Sequence, residues 1–294
     1  MAKLRLAVVI LHYGEQDHTL QCLRSVADAV TAAQDACLTA TYIVDNNAAT
    51  EPLQWPEKEA AQPEVIRGNS NLGFALGMNL GIRAATQKPC DYLWLLNNDT
   101  VVDRTSIANL MNHAESHPEQ KLVGCTILDG ATGRLTTIGG YRYSALLSAA
   151  WPIKKRGKNP DYIDGAAMLL CAKTAQVLGG LPVNNFMYFE ELHLARALQR
   201  EGLCWGSCEA ARVLHLGGVG TATLSLDNKT YYLTTAALRY TSQHASIFLF
   251  TVWFARLVKA VFDSAVAFNP GALTGFARAS FKHFFNWGEK EAAD

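Results

Sequence analysis

Leu93–Thr100 reads LWLLNNDT. An apolar run ends abruptly in Asn97, Asn98 and Asp99. That is the profile of a buried strand whose last residues emerge at a sheet edge, since a parallel sheet covered on both faces needs continuous apolar runs. Ligands of open α/β folds bind outside the carboxyl ends of such strands. A lone carboxylate between amides suits a hard divalent cation that keeps waters or phosphate oxygens as its other ligands. A plain Asn/Asp turn fits the string too, so its neighbours must decide.

Upstream, Leu4–Leu11 is apolar and breaks at His12-Tyr13-Gly14. Helical spacing over Gln16–Ala33 puts Leu20, Leu23, Val26 and Ala27 on one side. Ala40–Val44 is a second strand, ending in Asp45-Asn46-Asn47. Strands alternating with helices, all with polar ends on one edge, predict a Rossmann-like parallel sheet with a nucleotide site along that edge. Glu51–Pro63 is polar and reads as a loop. Asn69–Gly81, NSNLGFALGMNLG, repeats Gly73, Gly77 and Gly81 at four-residue spacing, with Asn71 and Asn79 beside them. In a helix these glycines share a face. Such a face admits a flat ligand or a tightly packed sheet. The pattern is not G-x-G-x-x-G, which excludes an NAD reading.

The 294-residue chain is long enough for a large core, and its formal net charge of zero gives no sign of nucleic-acid binding. The opening MAKLRLAVVILHYG has too short an apolar run, and no small-residue cleavage site, for a signal peptide. Seven scattered cysteines without an export signal are expected to be reduced, in the cytoplasm. Cys204 and Cys208 are a weak zinc signal, lacking nearby partners.

In the second half, Leu122–Leu128 reads as a strand, followed by a low-pattern region to about Lys158. Its basic run, Lys154-Lys155-Arg156, is a solvated loop or a contact for an acceptor phosphate. Asp164-Gly165-Ala166-Ala167 precedes the strand Met168–Ala172. Phe189–Gly202 reads as a helix starting with Glu190 and Glu191, about 100° apart around its axis. Glu191 falls with Leu194, Ala195 and Leu198 on the apolar stripe; Glu190 falls with His193, Ala197 and Arg200. Acids at a helix start also simply complement its dipole.

Beyond Asn228 the composition shifts. Ala245–Ala255 is apolar, then Arg256, Lys259 and Asp263 interrupt on one helical face, which argues against a membrane span. Asn269-Pro270-Gly271 breaks this helix. Ala272–Trp287 resumes with Phe276, Phe281, Phe284, Phe285 and Trp287 against Arg278, Lys282 and His283. Such helices suit the interface of an anionic bilayer, or packing on the main domain or a second subunit.

Seven pieces in order, AVVILHYG, YIVDNN, NLGFALGMNLGI, LWLLNNDT, YIDGAAMLL, FMYFEELHLARALQREG and ARVLHLGG, span Leu4 to Gly218. Together they resemble a family 2 glycosyltransferase of the rhamnosyltransferase-like branch, found in bacterial surface-polysaccharide pathways such as O-antigen synthesis. The resemblance implies a GT-A fold, an α/β Rossmann-like mixed sheet flanked by helices. It would occupy residues 1–240, with an amphipathic helical extension over 241–294. It implies inverting transfer of a sugar, with dTDP-rhamnose the best donor guess and UDP-sugars open, to a glycan or lipid-linked acceptor. The enzyme would use Mg²⁺ or Mn²⁺ in the cytoplasm, near the inner membrane face.

By the same resemblance, Asp99 is the last acid of the family's D-x-D element, with Asn97 in first position. His215 completes metal coordination. Asp45 meets the base or ribose, and a carboxylate can accept the imide N–H of uracil or thymine. His12, Tyr13, Asn71, Gly73, Phe74, Asn79 and Asn98 would lie along the nucleotide, and Gly165 would let the donor sugar approach the backbone. The second acid of the Glu190-Glu191 pair is the family's usual base, which agrees with the inward phase of Glu191. Two features depart from the pattern. His193 stands where a further acid is common, and Thr235-Ala236 stands where Arg-Asn is common. The neutral Asn97 and Asn98 leave room for a nucleotide-sugar-binding protein without catalysis. A nucleotidyltransferase is disfavoured, because Leu11–Glu15 carries no Gly-rich loop with a lysine.

Overall fold

The computed structural model describes residues 3–33, 37–47, 53, 62–217 and 224–285. Gly218 and Trp287, and most of the expected loop at Glu51–Pro63, lie outside them. The chain forms two compact units.

The first unit, Met1–Arg142 with Pro152–Val183 and Glu190–Val219, carries the large sheet. Its strands are β1 (Arg5–His12), β2 (Cys37–Asp45), β3 (Glu64–Arg67), β4 (Tyr92–Asn97), β5 (Thr100–Val102), β6 (Gln120–Asp129), β7 (Leu135–Ile138), β11 (Ala167–Cys171) and β12 (Cys204–His215). The order is β3-β2-β1-β4-β11-β6-β12-β5, with β7 beside β6. The half β3-β2-β1-β4 is parallel. β11 then runs against both β4 and β6, and β5 against β12. The sheet is therefore mixed, where strand–helix alternation alone predicts a parallel one. A smaller sheet orders β10 (Tyr162–Ile163), β8 (Gly140–Ser144) and β9 (Ala149–Pro152), in the region that lacks pattern in the sequence.

The apolar strands are explained by burial on both faces. Leu6, Val8 and Ile10 of β1 and Trp94 and Leu96 of β4 join a core with Leu23 and Val26 of α1 (Gln16–Ala32) and Ile107 and Leu110 of α3 (Ser106–Ser116). The alternate residues Ala7, Val9, Leu93 and Leu95 join the opposite core. There they meet Met78 and Ile82 of α2 (Gly73–Ala85), Ala175 of α4 (Ala172–Leu178) and Leu194 and Leu198 of α5 (Glu190–Arg200). Period-2 alternation hands each strand to two helix layers, so no position is left for a polar residue until the strand ends.

The glycine repeat is resolved in favour of packing. A Cβ on Gly81 would sit 2.3 Å from Val9 Cγ1 and 2.9 Å from Val44 Cγ2, and one on Gly77 would sit 2.8 Å from Leu11 Cδ1. Both glycines let α2 lie directly on β1 and β2. Gly73 differs: its φ is +74°, the left-handed turn that opens the helix.

The second unit groups Tyr143–Trp151 and Asn184–Phe189 with Gly220–Asp294. It holds α6 (Leu226–His244), a 3₁₀ turn at Ser246–Phe248, α7 (Leu249–Val266) and α8 (Gly271–Phe285). α6 is capped by Ser225, whose hydroxyl accepts from Asn228 N. α8 lies close to the start of α6 at Gly275, where a Cβ would be 2.2 Å from Asp227 O. Asp227 is ion-paired with Arg278, and Trp253 packs on Phe276. The interrupting charges of α7 are absorbed locally: Lys259 pairs with Asp263 at 2.8 Å, and Arg256 donates to Ser148 O. Phe250, Phe254, Val258, Val261, Phe262 and Val266 of α7 are each at least half exposed. No helix among the described residues is long and apolar enough to cross a membrane.

Candidate active site

Asn98 and Asp99 form the turn between β4 and β5. β5 pairs with the end of β12, so Thr100 stands opposite His215. This register brings Asp99 Oδ1 to 3.2 Å from His215 Nε2, and Leu216 N donates to Asp99 O at 2.8 Å. Burial pushes the His215 pKa down. The Asp99 hydrogen bond and charge, helped by Asp164, outweigh it and leave the pKa raised.

The pair is a credible cation seat. Neighbouring ligands on an octahedral cation with bonds of about 2.1 Å also lie about 3 Å apart. No group of three or more His, Cys, Asp or Glu is gathered as a metal cage among the described residues. Asp99 and His215 would suit a cation that takes one or two protein ligands and fills its shell with phosphate oxygens. Cys204 and Cys208 are no alternative: they sit four residues apart on a strand, roughly 13 Å.

Asp164 joins this edge, and sequence reasoning missed it. Its Oδ1 accepts from Ala166 N at 2.9 Å, and its Oδ2 accepts from the Tyr141 hydroxyl at 2.9 Å. Tyr141 is stacked on Tyr162, with ring centroids 5.4 Å apart. The next residue, Gly165, was expected beneath the donor sugar. It lies beneath Glu191: a Cβ there would be 2.0 Å from Glu191 Oε1. Glu191 is partly accessible at its surface but its carboxyl is hemmed in by protein. Burial pushes its pKa up to about 7, and the Asp164 charge adds to the rise.

The helical phase is only partly as expected. Leu194, Ala195 and Leu198 are buried as predicted, but so are Glu190 and His193, assigned to the polar side. The helix starts inside the protein, so both acids are enclosed. Tyr188 and Phe189, just before it, have φ of +72° and +73°, a conformation costing non-glycine residues on the order of 1–3 kcal/mol each.

On the parallel half, Asp45 is almost wholly buried. Its Oδ1 accepts from Asn47 N at 3.0 Å. Its Oδ2 makes no hydrogen bond, only a 3.7 Å ion pair with Arg67. An acceptor left in that state fits an imide N–H. Asn46, another residue not singled out from sequence, braces the loop before α2. Its amide donates to Asn71 Oδ1 and Gly73 O and accepts from Leu72 N. Asn71 is exposed and Phe74 half-buried at this helix start, and Tyr13 and Asn97 are partly exposed.

Three of the residues expected along the nucleotide brace the fold. Asn79 is buried mid-helix with both amide atoms on the Leu181 backbone, at 2.9 and 2.7 Å. Asn98 points to the α1 side, donating to Tyr13 O and Thr19 Oγ1. His12 is buried 2.6 Å from Thr19 Oγ1 and 3.3 Å from Asn47; burial lowers its pKa against the pull of Asp45. Arg156 of the basic run pairs with Glu209 and, with Arg212 and Asp103, lines a cavity of about 550 Å³.

Comparison with known proteins bears on the family and the fold. The family model described as glycosyl transferase family 2 matches residues 7–177. The chain is 25% identical over 179 residues to the low-salt glycan biosynthesis hexosyltransferase Agl10 of Haloferax volcanii, covering 59% of this chain and 57% of that protein. It is 26% identical over 217 residues to the galactofuranosyltransferase GlfT1 of Mycolicibacterium smegmatis, covering 71% and 70% respectively. The crystal structure of GalNAc-T7 with UDP, GalNAc and Mn²⁺ superposes with a TM-score of 0.57 at 15% identity, over 91% of this chain and 59% of that one. That likeness establishes the GT-A fold.

Proposed function

This chain belongs to glycosyl transferase family 2, and we propose that it transfers a hexosyl group from a nucleoside diphosphate to an acceptor hydroxyl, inverting the anomeric carbon. The observation that carries this reading is the meeting of Asp99 and His215 at the sheet edge, under the same Asp164 charge that acts on Glu191.

Asp45 Oδ2 receives the imide N–H of a pyrimidine base, and the Asn46-braced turn at Asn71–Gly73 lies along the nucleotide. Asp99 and His215 would hold Mg²⁺ or Mn²⁺. When bound, the cation stabilises the negative charge that grows on the departing diphosphate. Glu191 takes the proton of the attacking hydroxyl. A carboxyl that titrates near 7 is a stronger base than an ordinary one and is still ionised in useful amount at neutral pH.

The motif resemblance favours dTDP-rhamnose as donor. The galactofuranosyltransferase relative and the UDP-bound structural neighbour favour a UDP-hexose as the second reading. The acceptor is a glycan or lipid-linked saccharide of a surface polysaccharide. The exposed apolar face of α7, in a helical unit where basic residues outnumber acidic ones, supports contact with an anionic bilayer on the cytoplasmic side.

The test is a thermal-shift panel of UDP-, dTDP- and GDP-sugars with and without Mn²⁺, followed by donor hydrolysis. A pyrimidine nucleotide sugar should stabilise the protein in a metal-dependent way and be hydrolysed. If none in the panel binds or is hydrolysed, the reading is wrong.

A further inference from the structure

A second carboxylate beside a base is costly. Asp164 is only 9% exposed, and its charge disfavours the ionised form of Glu191. The local backbone does not need that charge. The bond from Ala166 N to Oδ1 is an Asx-type turn, which an asparagine makes equally well. The Tyr141 hydroxyl, at 2.9 Å from Oδ2, could accept from an amide as readily as it donates to a carboxylate. What aspartate supplies beyond asparagine is a carboxylate.

Its placement is tightly held. Both oxygens are engaged, one by backbone and one by a tyrosine pinned through its stack on Tyr162. Burial, with the charges of Asp164 and Glu191 adding to it, holds the Tyr141 hydroxyl protonated far above the ordinary phenol range, so Tyr141 remains a donor at any working pH. Glu191 rests on Gly165, the residue that follows Asp164 in the chain. Asp164, from a neighbouring element, acts electrostatically on Glu191, and Glu191 in turn raises the Tyr141 hydroxyl; on its own helix stand the buried Glu190 and His193.

We infer that Asp164 is a positioning residue for the transfer: clamped by Tyr141 and the Ala166 N–H, its carboxylate stands beside Glu191 and so strengthens that group as the base for the acceptor hydroxyl. The inference rests on Glu191 being the base. The charge trades fold stability for basicity, so removing it should relax the protein while weakening the chemistry.

The test is a side-chain carboxyl NMR titration of the full chain labelled with ¹³C-glutamate, Glu191 being assigned by its loss in Glu191→Gln. Glu191 should titrate near 7 in the native protein. In Asp164→Asn its midpoint should fall by roughly one unit, yet stay above an ordinary carboxyl because burial remains. The unfolding temperature should hold or rise, and turnover should drop with donor KM unchanged. Tyr141→Phe, which keeps the charge but unclamps it, should lose turnover without that downward shift. An unchanged Glu191 midpoint in Asp164→Asn, or a fallen unfolding temperature with an unchanged midpoint, would overturn the inference. Full turnover by Glu191→Gln would instead remove the base assignment.

Discussion

Gly165→Ala separates the chemistry from the fold. The new Cβ would lie 2.0 Å from Glu191 Oε1 and 2.9 Å from its Cδ, whereas ordinary contacts begin at 3.4 Å. The carboxyl must therefore retreat by more than 1 Å. Glutamate is flexible at its end, so the retreat costs rotamer energy rather than core packing. Alanine also restricts the unfolded chain, which offsets roughly 0.4–1 kcal/mol. Stability should change by less than about 1 kcal/mol. Turnover should fall on the order of 100-fold, the cost of an angstrom-scale misplacement of a reacting group. The assay is initial-rate donor hydrolysis at saturating donor and metal, beside thermal unfolding of the same preparations. Gly81→Ala is the contrasting control. Its Cβ would meet Val9 and Val44 in a closed core, so it should lose stability through overpacking while each folded molecule keeps its activity. If Gly165→Ala turns over normally, Glu191 does not act from where it stands.

Asp99→Ala should abolish metal-dependent donor binding, read by calorimetry with and without Mn²⁺, and leave the fold intact; full activity in that variant would refute the metal assignment. Glu191→Gln should lower kcat by at least roughly 100-fold with little change in donor affinity, and Glu190→Gln should be milder; the reverse order would move the base by one residue. Native kcat/KM should rise with pH through about 7, since the base works only when deprotonated and burial holds its pKa there. Phe254→Glu with Phe262→Glu, both on the exposed stripe of α7, should release the protein from phosphatidylglycerol vesicles in a flotation assay; vesicle binding that survives would favour a face between protein copies. Asn79→Ala should cost about 1–3 kcal/mol in denaturant unfolding, having left the Leu181 backbone unpaired, while donor affinity holds.

How much of this was legible follows from where each element sits. β1 and β4 are read correctly to within a residue or so because both faces are covered and the strands are apolar from end to end. β3, by contrast, is an edge strand of four residues, EVIR, largely open to water. β5 has three residues, and the hairpin region β7–β9 mixes Thr, Tyr, Ser and Ala without a clean alternation. These strands exist because partners exist, and for β5 that partner, β12, is more than a hundred residues away. The site divides similarly. Asp99 and His215 are legible as motif residues, but their meeting depends on the β5–β12 register, which no local pattern encodes. Asp164 escaped notice because the small residues after it drew the reading. The helical wheel placed Glu190 and His193 on a polar side, whereas both are buried, because the first turn of α5 is enclosed by protein.

The polar strand ends divide their work by chemistry. An amide carries both a donor and an acceptor, so it can bridge two backbone segments by itself. Asn46 does so before α2, and Asn98 holds the loop after β1; inside α2, Asn79 uses both of its groups on Leu181. A carboxylate only accepts, and at Asp45 an oxygen remains without a hydrogen bond after the local backbone has been served. Asp99 spends its Oδ1 on a histidine that a cation can replace as its partner. Strings such as DNN and NND therefore mix two chemistries: the amides fix the geometry of the edge, and the acids add acceptor oxygens to it. Asn97, the amide at the first position of the metal motif, is the exception to watch. It is partly exposed at the end of β4, and as a neutral group it adds no charge to the cation seat. The electrostatic hold on a metal then falls to Asp99, which is why the outcome at that one residue decides the metal question.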